Sequence, residues 1–532
     1  MLEKKSEKPI VAVIGAGASG ICTFIELEKK LGITAALFEM EDDIGGTWRQ
    51  NTYPFASCDI PSHIYSLRSD LNPNWSQTYS SQAEIHAYFK DVAKKHNIYQ
   101  HISFNTEVVQ AAWVDERKQW KLNIRNTRSP ADAATEAVYF DILFSGVGCL
   151  RIINTPPEFK SFKGPIVHTA KWDHSIDFKD KRVALVGSGS RQVFVCTICL
   201  YTAYSCVRMY YSAIQTLPYL AENASRVIAY QRSAPWIFPR PQLNYPEFMK
   251  WMFRNIPLVM LLHRWFLFMV NELLYPAFGY PNSFMAKGLG KFVENANAKE
   301  LAQLGRPDLI EKLKPNYQMG CKRIVFSSEF NKAIARPNVI LNQTAIKDVT
   351  DKSIITEDGV TEEIDILVLG TGFKTQQGVL GDIEIIGDHG QSLTELWQKE
   401  LPQFYQSTIT NGFPNLFMLL GPTTILGHHS VILMIEAQVS FAINCIKKLI
   451  IEKKMTAVEP TLEAQSAYMG QLRSDLKGTI WTTSCNSWYK NSSGQVTNIY
   501  PNTVTRFRHT LGKFNEEDYV KHPAQNSTAT DN

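Results

Sequence analysis

Gly15, Gly17 and Gly20 stand in the run Gly-Ala-Gly-Ala-Ser-Gly, and Glu39 lies 24 residues after the first of them. That spacing suits a dinucleotide. Gly15 makes a tight turn, Gly17 lets backbone approach a pyrophosphate, and Gly20 lets a helix pack closely on a strand. The helix N-terminus then offers amides and partial positive charge to the phosphates. Glu39 can accept hydrogen bonds from a ribose diol. The elements that must position these residues are in order: a β-branched run over Ile10–Ile14, a helical pattern from Ile21 to about Leu31, and a strand over Ala35–Phe38 that delivers Glu39. Ile44-Gly-Gly46-Thr47-Trp48 follows. Paired glycines beside an aromatic let backbone lie along a large flat ligand, which favours a flavin over a nicotinamide.

A second site opens at the strand Val183–Val186, with Gly187-Ser188-Gly189-Ser190 after it and another strand over Ser225–Tyr230 ending in Gln231-Arg232-Ser233. A guanidinium at a strand end that usually carries an acid would pair with a 2′-phosphate, so NADPH is expected rather than NADH. Gly187 to Arg232 is 45 residues, 21 more than the 24 of the first site. Removing Arg191–Tyr211 equalises the two and joins Ser190 to Ser212-Ala213-Ile214-Gln215, completing a GxGxxA fingerprint. As written, Gln192 takes the third position. Arg191–Tyr211 therefore reads as an insertion, expected as a loop or loosely packed excursion with the helix resuming near Ser212. Its 21 codons have the scale of a short retained intron; an inserted hairpin or helix and a membrane-seeking loop are the alternatives.

The chain has 532 residues, 44% hydrophobic and 20% charged, with net charge +4. This implies two or three domains and gives no reason to expect nucleic acid. Nine cysteines are scattered. Cys196-x-x-Cys199 lacks a second half-site, so no metal is expected. The odd count argues against a disulfide framework and for a reducing compartment. The polar start, MLEKKSEKP, runs into a strand without a signal-peptide pattern, so a cytoplasmic location is expected. Phe248–Phe278 is the most lipophilic stretch. Its runs Ile256–Leu262 and Trp265–Val270 are separated by His263-Arg264 and read as too short to span a bilayer. A buried helical subdomain is the expectation, with peripheral membrane contact as the alternative.

The segment Phe162-Lys-Gly164-Pro-Ile-Val-His168-Thr-Ala-Lys-Trp172-Asp173 matches the pattern FxGxxxHxxxW(P/D). With two dinucleotide sites beside it, the chain resembles the class B flavoprotein monooxygenases of Baeyer–Villiger type. Other segments extend the resemblance across about residues 9–510. Tyr53-Pro-Phe55-Ala-Ser57-Cys58-Asp59 resembles the family's YPGxxCD, with Phe55 where the glycine stands. Cys321-Lys322-Arg323, followed by Arg336-Pro-Asn-Val339, resembles the segment of the active-site arginine. Leu369-Gly-Thr-Gly-Phe373 resembles its ATGF linker, and Ser487-Trp488-Tyr489 its mobile nicotinamide-side loop.

The resemblance implies an α/β fold with two Rossmann-like domains. FAD would be bound by 1–150 and 377–532, and NADPH by 151–245 and 320–376, with a helical subdomain at 246–319. The implied FAD residues are Gly15, Gly17, Gly20, Glu39, Gly46, Thr47, Trp48, Asp59, Tyr65, Val108 and Gly421. The implied NADPH residues are Ser57, Cys58, Gly187, Ser188, Gly189, Ser190, Ser212, Ala213, Gln215, Arg232, Ser233, Lys322 and Trp488. The implied reaction inserts oxygen from O2 beside the carbonyl of a small-molecule ketone. Arg323 would supply a fixed cation near an anionic peroxide, held by Asp59. His428-His429 reads equally as a substrate-side or flavin-edge pair and as a loop without catalytic duty. Trp251, Trp265 and Tyr275 hint at a bulky apolar substrate. Two other readings stay open: heteroatom or ring oxygenation, and a flavin-binding protein whose NADPH arm is broken by residues 191–211.

Overall fold

Val11–Ile14 is apolar on both faces and wholly buried, as a central parallel strand must be. In this computed structural model, which describes residues 8–187, 210–485, 487–491 and 493–522, it is the centre of a five-stranded parallel sheet. Ala36–Phe38 and Ile102–Ser103 lie on one side, Ile142–Ser145 and Leu416–Met418 on the other. The second sheet repeats the plan. Arg182–Val186 is central, with Arg226–Tyr230 and Val339–Asn342 to one side and Ile366–Leu369 and Ile166–His168 to the other, again all parallel. A mixed four-stranded sheet built on the antiparallel pair Thr106–Val114 and Gln119–Asn126 packs beside the first.

The chain crosses between the two sheets twice, and the crossings bond to each other. The Asn154 amide donates to the Gly372 carbonyl and the Lys374 amide to the Ile152 carbonyl, both at 2.8 Å. The Thr371 hydroxyl donates to the Asn154 carbonyl at 2.5 Å.

Strand register corrects the count made at the second site. Ile14 pairs with Phe38, and Val186 with Tyr230. The Gly15 amide donates to Phe38, and the Gly187 amide to Tyr230. The counterpart of Glu39 is therefore Gln231, and Arg232 stands one residue further on. Ser188, Gly189, Ser190 and residues 191–209 of the candidate insertion lie outside the described residues. A helix runs over Tyr210–Asn223, so Tyr211 belongs to it rather than to the excursion expected through Tyr211.

The helices Glu247–Asn255, Pro257–Leu273, Tyr275–Gly279 and Phe284–Gln303 form an outlying group. The expected burial fails here, since Pro257–Leu273 buries none of its residues. His263-Arg264 does not interrupt it. Pro257–Gly279 is, by length and composition, a helix able to cross a membrane. The expectation of no disulfide also fails, because Cys321 is bonded to Cys485, 164 residues away. Such a separation leaves no spacing for a sequence reading to notice.

Candidate active site

The Ala18–Leu31 helix starts with Gly17 as cap, with no side chain bonded to its first amides and no acid in its first turn. Those donors are available to an anion. A Cβ on Gly20 would sit 2.0 Å from the Gly15 carbonyl oxygen, so the helix can approach the turn only because that residue is glycine. Glu39 is buried at the end of its strand. One carboxylate oxygen accepts from the Ala16 amide at 2.7 Å, the other from the Glu41 amide at 3.0 Å. Burial raises its pKa, against those two amides.

A cleft runs from this turn past Gly46, Thr47 and Trp48 to Tyr65 and Val108. The Trp48 indole donates to the Tyr65 hydroxyl at 3.0 Å. Open amides at one end, a buried acid beside them and a long aromatic-edged trough fit FAD. Three of the expected residues do not line the cleft: Gly20, which packs on Gly15 instead, Asp59 and Gly421. Asp59 is turned toward Arg323, and Leu420 lines the wall where Gly421 was expected.

Arg323 Nε donates to Asp59 Oδ2 at 2.7 Å, and its second terminal nitrogen reaches the same oxygen at 2.7 Å. Its remaining nitrogen donates to the Leu426 carbonyl at 2.9 Å. Burial opposes the guanidinium charge most, but Asp59, together with Tyr489 and Tyr211, raises the pKa overall. Three groups electrostatically coupled to this arginine have buried polar atoms without a hydrogen-bond partner among the described residues: the Tyr211 and Tyr489 hydroxyls and His428 Nε2. Buried polar atoms seldom go unpaired, so several around one cation mark a place where a ligand belongs.

On the other side, Ala213 is the close-packing residue of the Tyr210–Asn223 helix. A Cβ on Gly187 would lie 3.3 Å from its Cβ, and one on Gly370 2.7 Å. The Gln215 amide bonds the Ser57 carbonyl and hydroxyl at 3.1 and 3.0 Å, and its oxygen accepts from the Tyr53 hydroxyl at 2.7 Å. Cys58 is buried beside this pair, and burial pushes its thiol pKa up. Lys322 donates to the Ser233 hydroxyl at 3.2 Å, next to exposed Arg232. A cation at this hydroxyl, with an exposed arginine as the adjacent residue in the chain, fits the 2′-phosphate of NADPH.

A family description, flavin-binding monooxygenase-like, matches residues 8–205. A Baeyer–Villiger monooxygenase of Streptomyces coelicolor is 32% identical over 530 residues, covering 98% of this chain and 94% of the relative. The chain belongs to the Baeyer–Villiger-type flavin monooxygenases. The closed crystal structure of cyclohexanone monooxygenase superposes with a TM-score of 0.77 at 25% identity, over 95% of this chain and 96% of that one. Oxidized steroid monooxygenase bound to NADP superposes with a TM-score of 0.75 at 26% identity, over 95% and 97%.

In this Baeyer–Villiger-type chain the fingerprint residues build a joint. Phe162 fills the space above Gly164, where a Cβ would lie 2.6 Å from its ring. His168 ends the edge strand, and its Nδ1 accepts from the Ala170 amide at 3.1 Å. Burial pushes its pKa down to about 4. The neighbouring Thr169 hydroxyl donates to Ser212 at 3.0 Å, tying the joint to the helix that carries Ala213 and Gln215. Trp172 stacks on Phe178 at 5.5 Å, and Asp173 caps a turn through the Ser175 amide and hydroxyl. None of these side chains is near Arg323 in the hydrogen-bond network.

Phe55 takes φ +63 where the family pattern has glycine, with its ring 55% exposed. His428 is buried with its ring 5.0 Å from Tyr275, and His429 meets the Phe268 carbonyl at 3.3 Å. Trp251 and Trp265 face outward, which removes the hint they gave about substrate size; Tyr275 alone is buried. Trp488 packs on Tyr489 at 4.5 Å, and the nearby Cys485 is held by Cys321. Sequence reasoning missed Tyr211, Tyr489 and Arg240, which donates to the Ser57 hydroxyl at 3.0 Å. Tyr489 had a signal, since it stands in a matched loop.

Proposed function

We propose that the chain oxidises a small-molecule ketone with NADPH and O2. One oxygen atom enters between the carbonyl carbon and its neighbour, giving an ester or lactone; the other leaves as water, and NADPH becomes NADP. Bound FAD and NADPH supply the electrons and the activation of O2. The Gly15–Gly20 turn and Glu39 would hold the phosphate and ribose part of FAD, with Trp48 and Tyr65 along its length. Arg232 and Lys322 would hold the NADPH phosphate, and Gln215 with Ser57 would fix the backbone beside it.

The chain's own contribution to the chemistry is electrostatic. Asp59 and the Leu426 carbonyl aim the Arg323 guanidinium, which keeps its charge in a buried setting. Such a cation stabilises negative charge as it develops on oxygen and needs no reorganisation to do so. The unpartnered Tyr211 and Tyr489 hydroxyls supply two further donors near it. The observation that carries this reading is the Arg323–Asp59 pair amid those hydroxyls. The experiment is turnover of a ketone panel under ¹⁸O2: ester or lactone carrying one labelled atom is expected. Turnover of amines or sulfides with ketones left intact would overturn it.

A further inference from the structure

The outlying helices are inside out. On Pro257–Leu273, the side chains of Leu258, Leu261, Leu262, Trp265, Phe266 and Leu273 are 50–63% exposed. The same helix turns its polar groups inward. Arg264 donates to the His63 and Ser66 carbonyls. His263 Nε2 meets the Tyr245 hydroxyl at 3.0 Å. The Glu272 carboxylate accepts from the Val504 and Thr505 amides at 2.9 and 3.1 Å. A helix bordered by water does the reverse, since exposing leucine and burying a guanidinium are both unfavourable. Phe248 and Trp251 extend the apolar face on one neighbouring helix, Phe284 and Phe292 on another.

We propose that this face docks on an anionic lipid surface, lying in the interfacial layer without crossing it. Charge argues for lipid. Across residues 247–292 the exposed charged residues are Glu247, Arg254, Lys287 and Lys291, and Glu247 is already paired with Lys250 at 3.0 Å. Lys287 and Lys291 make no ion pair among the described residues and are interleaved with Phe284 and Phe292. Cations among exposed aromatics match a headgroup layer. A second copy meeting this face symmetrically would bring two net-positive faces together, with the exposed acid Glu247 already engaged by Lys250 and Arg254. Crossing is excluded by the inward bonds of Arg264 and Glu272, which bind one side of the helix to the protein body.

The docked helix is also bonded to the segment that carries part of the site's wall. Arg264 grips the carbonyls on either side of Tyr65, which lines the flavin cleft, and Phe268 meets His429. On the proposed reaction, an apolar ketone dissolved in lipid would reach the cleft from this side; the docking itself does not depend on that reaction.

Flotation of the flavin-loaded chain with phosphatidylcholine vesicles, and with vesicles also containing phosphatidylserine, tests the docking. The chain should float with the mixed vesicles and less with the neutral ones. Leu262→Asp with Phe266→Asp should lower the bound fraction by about tenfold or more. Lys287→Glu with Lys291→Glu should abolish the preference for the anionic vesicles. Should the aspartate variant fail to fold, quenching of tryptophan fluorescence by brominated lipid in the unaltered chain replaces it, with Trp251 and Trp265 as reporters. A chain that stays in the soluble fraction with both vesicles, or whose tryptophans are not quenched, overturns the proposal. So does an aspartate variant that goes from dimer to monomer while floating unchanged, which would assign the face to a second copy.

Discussion

Arg323 meets Asp59 at 2.7 Å across 264 residues of chain. The guanidinium is also held by Leu426, so its direction is set before any ligand arrives. Arg323→Ala should leave reduction of the flavin by NADPH intact and lower ester formation by about 10²–10³. Arg323→Lys should recover little, because an ammonium cannot make the forked contact to Asp59. The check is stopped-flow flavin reduction beside product analysis. Normal lactone yield from the alanine variant would remove Arg323 from the chemistry.

Phe55 holds a left-handed backbone with an exposed ring, so it bears strain without burying its side chain. Phe55→Gly should therefore stabilise the fold by about 1 kcal/mol. A denaturant midpoint that moves the other way would mean that the ring does something the backbone argument overlooks.

Four histidines are buried and neutral. Burial pushes His63, His428 and His429 down to about 3 and His168 to about 4. Their folded pKa values lie below the unfolded value, so the unfolded chain binds more protons in acid. Their stabilising contribution is present above about pH 6.5 and is lost as pH falls toward 3, by up to ~1.4 kcal/mol per pH unit for each histidine. Urea unfolding at neutral pH and at pH near 5 should show the loss. His428→Gln should shallow the slope; an unchanged slope would show that His428 does not contribute.

The Cys321–Cys485 bond holds the segment before Trp488 against the segment that carries Arg323. Cys485→Ser should lower stability by ~2–4 kcal/mol and raise the KM for NADPH while leaving flavin content unchanged. Melting temperature and KM with and without reductant measure both. If neither moves, the bond contributes nothing to that loop.

Excising Arg191–Tyr211 would put Ala213 five residues after Gly187, the same interval as Gly15 to Gly20. Their packing already matches, since Ala213 sits on Gly187 as Gly20 sits on Gly15. The excised variant should be reduced by NADPH faster than the full chain, with equal FAD content. Equal rates in the two would show that the stretch is tolerated. Slower reduction after excision would show that the Tyr211 hydroxyl is needed there.

The first nucleotide turn was legible because each of its parts is local: strand, glycines, helix and acid all lie within Ile10–Glu39. The pairing of Arg323 with Asp59 was not, since only resemblance joined the two segments. Register shifted the second strand end by one residue, because a count along a helix and its connection cannot say where a parallel ladder begins. Tyr211 was hidden by the reading of its own stretch as an insertion. Helix Pro257–Leu273 was legible as apolar but not as exposed: hydrophobicity states that a side chain avoids water, not which neighbour removes it. The inward turn of Arg264 decides that, and it depends on the carbonyls of His63 and Ser66, 201 and 198 residues away.

The bonded crossings at Asn154 and Gly372 place the entry and exit of the second sheet side by side. A segment whose two ends already touch is a cassette. Its gain or exchange leaves the host order intact, because Ile142–Ser145 before it and Leu416–Met418 after it are paired with each other in the first sheet. A graft at 154 and 372 would therefore keep the first sheet's pairing undisturbed.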